Sequence, residues 1–120
     1  MKKILIVDDE PNIVMTLEYT FKKSNYVVFI ARDGQEALDI LKTNFPDVII
    51  LDIMMPMVDG FATLEQIRKD DNLQHTKVMF LSAKNKESDI EKGLALGADT
   101  YMTKPFSIKK VVEKVEELLG

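Results

Sequence analysis

The chain of 120 residues contains no cysteine, which excludes disulfides, thiolate metal sites and cysteine nucleophiles. Its single histidine, His75, is too little for a His-rich metal cluster, and it has no obvious serine partner nearby in sequence. No apolar run approaches the ~20 residues a membrane-crossing helix needs. The opening MKKILIV has a basic flank, but acids follow the short apolar stretch, unlike a secretory leader. A cytoplasmic protein with no membrane partner is the expectation. An excess of positive charge is missing as well. The net charge is −4, so direct nucleic-acid binding by this segment is not expected, because phosphate backbones call for a basic face. There is no Gly-rich GK[ST] segment, which excludes a P-loop nucleotidase.

What is present is ordinary in bulk and organised in order. Apolar residues make up 46% and charged residues 30%, values typical of a globular protein, and the length suits one domain with one core. Apolar blocks alternate with helical patterns. Ile4 to Val7 reads as a buried strand; Pro11 then suits a helix's first turn, and Ile13, Val14, Leu17 and Phe21 recur at helical spacing. Tyr26 to Ala31 is a second strand, and Asp33-Gly34 turns into a helix carrying Ala37, Leu38 and Leu41.

Val48 to Leu51 is wholly aliphatic, as a central parallel strand covered on both faces should be, and it ends in Asp52. A helix with Phe61, Leu64 and Ile67 follows the loop IMMPMVDG. Val78 to Leu81 is a fourth strand leading to Ser82, and a helix over about Glu87 to Leu96 stops at Gly97, a suitable left-handed cap. A weak fifth strand, Thr100 to Thr103, precedes Lys104-Pro105, and Ser107 caps the last helix. Five βα units in succession imply an α/β fold with a parallel sheet, helices on both faces and right-handed crossovers. No repeat, linker or low-complexity segment interrupts residues 1–120, which read as one domain.

The polar residues fall at the carboxyl ends of these strands: Asp8-Asp9, Asp52, Ser82 and Lys104. That edge is where open α/β sheets bind ligands. A lone acid at a strand end is more often a helix cap than a reactive group, and a lone serine or lysine there is unremarkable. Their joint occurrence at equivalent strand ends is what carries the argument. Gathered together, the carboxylates of Asp8, Asp9 and Asp52 call for a cation, and hard oxygen ligands with incomplete encirclement suit Mg²⁺. One divalent ion and Lys104 would neutralise them, so a phosphoryl group would meet no wall of negative charge.

Five separated stretches, ILIVDDE, ARDGQEAL, DVIILDIMMPMVDG, VMFLSAK and GADTYMTKPF, resemble the response-regulator receiver domains of two-component signalling over essentially the whole chain. The resemblance implies a doubly wound, flavodoxin-like (βα)5 fold with strand order 2-1-3-4-5. It also implies roles. Asp52 is similar to the phosphoacceptor, Asp9 to the direct Mg²⁺ ligand and Asp8 to the residue holding the metal's waters, with the backbone carbonyl of Met54 as a further ligand. Ser82 stands at the switch hydroxyl, Lys104 at the lysine that pairs with phosphoryl oxygens, and Tyr101 at the aromatic switch position. The proline after that lysine is usually preceded by a cis bond in the family, against a trans base rate elsewhere.

The resemblance further implies Mg²⁺-dependent transfer from a phosphohistidine on a sensor histidine kinase or phosphotransfer protein, or from acetyl phosphate. The chain would catalyse its own aspartyl phosphorylation and dephosphorylation while serving chiefly as a switch. Phosphorylation would reshape the face formed by the fourth helix, fifth strand and fifth helix, toward an effector domain or target protein. His75, before the fourth strand, is given no phosphotransfer role. Thr100 and Lys114 stand where the dimerising winged-helix branch tends to carry an acid and an arginine, so homodimerisation is left open, as is the choice between a stand-alone regulator and one joined to an effector. Met54 and Lys84 fall at variable positions that influence water's access to the acyl phosphate; for Met54 a rim-packing role weighs equally.

Competing readings lack their residues. An FMN-binding flavodoxin needs a Gly/Ser/Thr-rich phosphate loop where DDEP stands. A haloacid-dehalogenase phosphatase needs a second acid two residues after its nucleophile, where Met54 stands.

Overall fold

The computed structural model describes residues 1–120. Five strands, β1 (Lys3–Val7), β2 (Val27–Ala31), β3 (Val48–Leu51), β4 (Lys77–Ser82) and β5 (Thr100–Thr103), alternate with α1 (Pro11–Lys23), α2 (Gly34–Ile40), α3 (Gly60–Lys69), α4 (Glu87–Ala95) and α5 (Ile108–Leu119). All pairings are parallel, in the order β2-β1-β3-β4-β5. This is the doubly wound flavodoxin-like fold expected from the alternation and the resemblance.

Because side chains alternate across a strand, the aliphatic runs divide cleanly between two cores. Leu5, Val7, Ile49, Leu51, Val78 and Phe80 face one way, under Ala37, Phe61, Leu64 and Ile67 of α2 and α3. Ile4, Ile6, Val48, Ile50, Met79 and Leu81 face the other, against Leu17 and Phe21 of α1 and Val111 and Val115 of α5. Continuous rather than alternating hydrophobicity in β1, β3 and β4 is therefore a direct consequence of coverage on both faces.

Local signals place the helix boundaries. Asp33, Asp59 and Ser107 cap α2, α3 and α5, each accepting a backbone N–H with its side chain. Gly97 adopts φ 110° just past α4, a conformation costly for any residue with a Cβ. Three details differ from the sequence reading. β2 begins at Val27 rather than Tyr26, whose ring packs edge-on to Phe21 at 5.1 Å. β4 extends through Ser82, so that hydroxyl belongs to the strand itself. A 3-10 turn at Asp71–Leu73, too short to leave a periodic signal, buries Leu73 beneath α3.

The carboxyl end of β3 is braced from below. Gly60, the first residue of α3, donates its N–H to the Ile53 carbonyl at 2.9 Å. A Cβ there would stand 2.2 Å from the Asp52 carbonyl oxygen and 2.6 Å from Ile53 Cα, both rigid backbone. Gly60→Ala is expected to cost about 3 kcal/mol, the upper range for overpacking, and to displace Asp52. Thermal melts of the variant check this; an unchanged Tm would contradict it.

Candidate functional site

β1 and β3 lie side by side in the sheet, so Asp8 and Asp52, each one residue past a strand, arrive together. Asp8 donates its N–H to Ala31 O at 3.1 Å and Asp52 to Val7 O at 2.9 Å, extending the ladder to both acids. Their residues are 3% and 4% exposed, burial that an acid does not tolerate without partners. The Glu10 N–H donates to Asp8 Oδ1 at 2.9 Å and the Ile53 N–H to Asp52 Oδ1 at 2.7 Å. One oxygen of each acid remains, and both turn to the same cation.

That cation is Lys104, which follows β5. Its main-chain N–H is tied to Ser82 O at 2.8 Å, and its peptide bond to Pro105 is cis. The ammonium lies 3.0 Å from Asp8 Oδ2, 2.9 Å from Glu10 Oε1 and 3.4 Å from Asp52 Oδ2. Burial alone would lower the affinity of Lys104 for its proton; the carboxylates of Glu10, Asp8 and Asp52 outweigh it and hold the group well above the lysine range. Asp8 shows the other side of this imbalance. Burial raises its pKa, and Asp52 adds to the rise, while the Glu10 N–H and Lys104 offset only part of it. The lysine gains three partners, whereas the acids share one.

Oxygens of Asp8, Glu10 and Asp52 all lie within 4.8 Å of one another. Three carboxylates against one ammonium leave two negative charges, and the donor set is all hard oxygen. Those are the charge and chemistry that a single Mg²⁺ ion satisfies.

The three acids around Lys104 are not the three expected to share the metal. Asp8, Asp52 and Lys104 meet as expected. Asp9 is exposed and lines a depression of about 630 Å³ together with Met54, Asp59 and Lys84. Met54 follows Asp52 by two residues, and the residue is 57% exposed at the rim. Glu10 is the third acid at Lys104, beside a second depression of about 500 Å³ with Ile13, Ala83, Lys104, Pro105 and Phe106. The DDE run signalled that three acids were concentrated here. It did not signal which of them would turn inward.

Ser82 and Tyr101 converge on one peptide segment. The fully buried Ser82 accepts the Lys84 N–H through Oγ at 3.3 Å, and Tyr101 donates its hydroxyl to Lys84 O at 2.7 Å. The Tyr101 ring, half-buried, packs on Phe80 at 5.7 Å between centroids, and Gly93 of α4 leaves the room for that pair. Burial raises the Tyr101 phenol pKa, Asp89 and Asp52 raise it further, and Ser82 offsets part of this. A phenol that ionises later in the fold than in the unfolded chain contributes stability below its ordinary pKa of 10.0, lost as the pH rises through the folded value. Tyr101→Phe is therefore expected to flatten the alkaline limb of the stability profile, measured by urea unfolding across that range.

His75 is exposed at the opposite, amino-terminal edge of the sheet, in a depression shared with Lys2, Asp47 and Lys77. No helix is long and apolar enough to cross a membrane.

The profile of the response regulator receiver domain matches residues 4–116. With that match, this fold and this strand-end constellation, the chain belongs to the receiver domains of two-component response regulators. It is 46% identical over 118 residues to the alkaline phosphatase synthesis transcriptional regulatory protein PhoP of Bacillus subtilis (strain 168), covering 98% of this chain and 48% of that protein. The chain thus spans about half the length of that relative. Among solved structures, the receiver domain of the Francisella response regulator 1452 superposes with a TM-score of 0.91 at 37% identity, covering 99% of this chain and 97% of that one. The chemotaxis response regulator CheY4 of Vibrio cholerae gives 0.93 at 30% identity, covering 99% of each.

Proposed function

We propose that residues 1–120 form a cytoplasmic phosphoacceptor switch in which Asp52 takes a phosphoryl group from a phosphohistidine of a sensor histidine kinase or phosphotransfer protein. The observation that carries this reading is Asp52 itself: one oxygen fixed by the Ile53 N–H, the other facing the Lys104 ammonium, at a buried strand end. In the transfer, an Asp52 oxygen forms a bond to phosphorus while the phosphorus–nitrogen bond of the donor breaks and the imidazole leaves with the bonding pair.

Such transfers depend on positioning and on charges aimed at the phosphoryl oxygens rather than on covalent help from the protein. The backbone fixes the Asp52 carboxylate through Oδ1, and Lys104 supplies a permanent positive charge beside it. Asp8, Asp9, Asp52 and the Met54 carbonyl would hold Mg²⁺, with Glu10 adding to the surrounding negative charge. When bound, the ion supplies electrostatic stabilisation of the transferring group's oxygens.

Ser82 lies at the end of β4, with Lys84 linking it to Tyr101. A new hydrogen-bond acceptor on Asp52 would draw the Ser82 hydroxyl, and the Lys84 peptide would shift with it. Tyr101 and the α4–β5–α5 face then change their balance of conformations, which requires that the phosphoryl group bind the two states unequally. That face is the proposed contact for an effector domain or target protein.

Incubation with acetyl phosphate and Mg²⁺, followed by intact mass, should show one added phosphoryl group and none when the metal is chelated. Addition at more than one site, or equal addition without metal, would remove the reading. At the rim, the exposed Met54 offers water no hydrogen bond. Met54→Asn is expected to shorten the acyl phosphate's lifetime several-fold, read as loss of the added mass over time after the donor is removed; an unchanged decay would leave Met54 a packing residue only.

A further inference from the structure

Glu10 stands at the N-cap of α1, where a short side chain would normally accept a helix N–H, yet its carboxylate makes no capping bond. It spans 94 residues of sequence to hold Lys104 at 2.9 Å, the shortest of that ammonium's three carboxylate contacts. An ammonium has three donors; Glu10 and Asp52 each accept one, and Asp8 Oδ2 lies 3.0 Å away as an ion-pair partner. Asp8 and Asp52 are buried and each held by a backbone N–H, but the Glu10 side chain is 56% exposed, so its pairing is the one most easily exchanged for water.

We propose that Glu10 is a positioning residue that keeps Lys104 occupied in the unphosphorylated chain and competes with phosphoryl oxygens for its ammonium. This rests on the reading that Asp52 is the phosphoacceptor. A group on Asp52 carries several strong acceptor oxygens, and Lys104 can serve them fully only by giving up a carboxylate. Glu10 is the partner it gives up, because water solvates the released carboxylate. Glu10 thereby sets how readily the site accepts a phosphoryl group, without contacting that group.

The test uses beryllofluoride, an analogue of the phosphoryl group, with the full chain at saturating Mg²⁺ and binding followed by fluorine NMR. Glu10→Gln removes the charge and keeps the shape; it should bind beryllofluoride about two- to five-fold more tightly, the scale of a half-exposed ion pair. Glu10→Asp, charged but shorter, should fall between Glu10→Gln and the wild type. In a Lys104→Ala background the gain from Glu10→Gln should shrink below about 1.5-fold, because the effect runs through the lysine. Rising salt should bring wild type and Glu10→Gln together, since the exposed pair is screened most.

Equal or weaker binding by Glu10→Gln, or a gain that persists without Lys104, would overturn the role of Glu10 while leaving Asp52 as acceptor. A wild type that binds no beryllofluoride would instead remove the Asp52 reading, and this inference with it.

Discussion

Asp52→Asn is expected to take up no phosphoryl group from acetyl phosphate under conditions that modify the wild type completely. The amide is nearly isosteric and can still accept the Ile53 N–H through its carbonyl oxygen, which Asp52 does through Oδ1 at 2.7 Å. It cannot act as the nucleophile, because it lacks the free anionic oxygen that faces Lys104 at 3.4 Å. Local geometry is thus preserved while the chemistry is lost. Removing one of three clustered carboxylates also relieves repulsion on Asp8, whose pKa is raised by burial and then by Asp52. The variant should therefore be at least as stable as the wild type in metal-free buffer and gain less from added Mg²⁺. Intact mass reads the first effect and thermal melts with and without Mg²⁺ read the second. A phosphorylated Asp52→Asn chain would place the acceptor elsewhere.

Lys104→Ala is expected to be the most destabilising change at the site. Its side chain is 10% exposed and lies between two carboxylates that are each 4% exposed. Taking one partner from a buried ion pair typically costs 3–5 kcal/mol, because the other charge is left unpaired; about 3 kcal/mol, or ~10 °C in Tm, is expected here. The deficit should depend on pH in a definite direction. A carboxyl whose pKa is raised by folding, as that of Asp8 is, favours the fold while protonated and loses that contribution as the pH rises through its folded value. The variant should therefore melt furthest below the wild type near neutral pH and approach it in acid. Added Mg²⁺ should restore part of the loss. Phosphorylation should slow by ~10²-fold or more, the usual effect of removing one electrostatic contact from such a transition state. A pH-independent deficit would mean that Lys104 supports the fold through packing alone.

Glu10 and Asp9 show where a linear reading stops. Strand character came from runs such as VIIL, whose continuous hydrophobicity has one good explanation, coverage on both faces. Once strand ends are placed, the parallel sheet is expected to bring residues 9, 52, 82 and 104 to one edge; at Lys104 the acids that meet are Asp8, Glu10 and Asp52. The three acids after β1 belong to the turn into α1, where no periodicity dictates side-chain direction. Glu10 reaches Lys104 and Asp9 does not, and that outcome depends on the path from Val7 to Pro11 and on where β5 delivers the lysine. Similarly, Tyr101 could be assigned a place but not a partner: its bond to Lys84 O arises from the meeting of β5 with the β4–α4 loop.

The amino-acid sequence by itself determined the five βα units, the parallel sense of the sheet and the edge at which the polar residues gather, because hydrophobic period and strand-end chemistry are local and repeat along the chain; the order of the strands came from the family resemblance. Only the tertiary structure decided which three carboxylates share the lysine, how deeply each is buried and which peptide joins Ser82 to Tyr101. Those are distances between groups as far apart along the chain as Asp8 and Lys104, set by how sheet and helices pack.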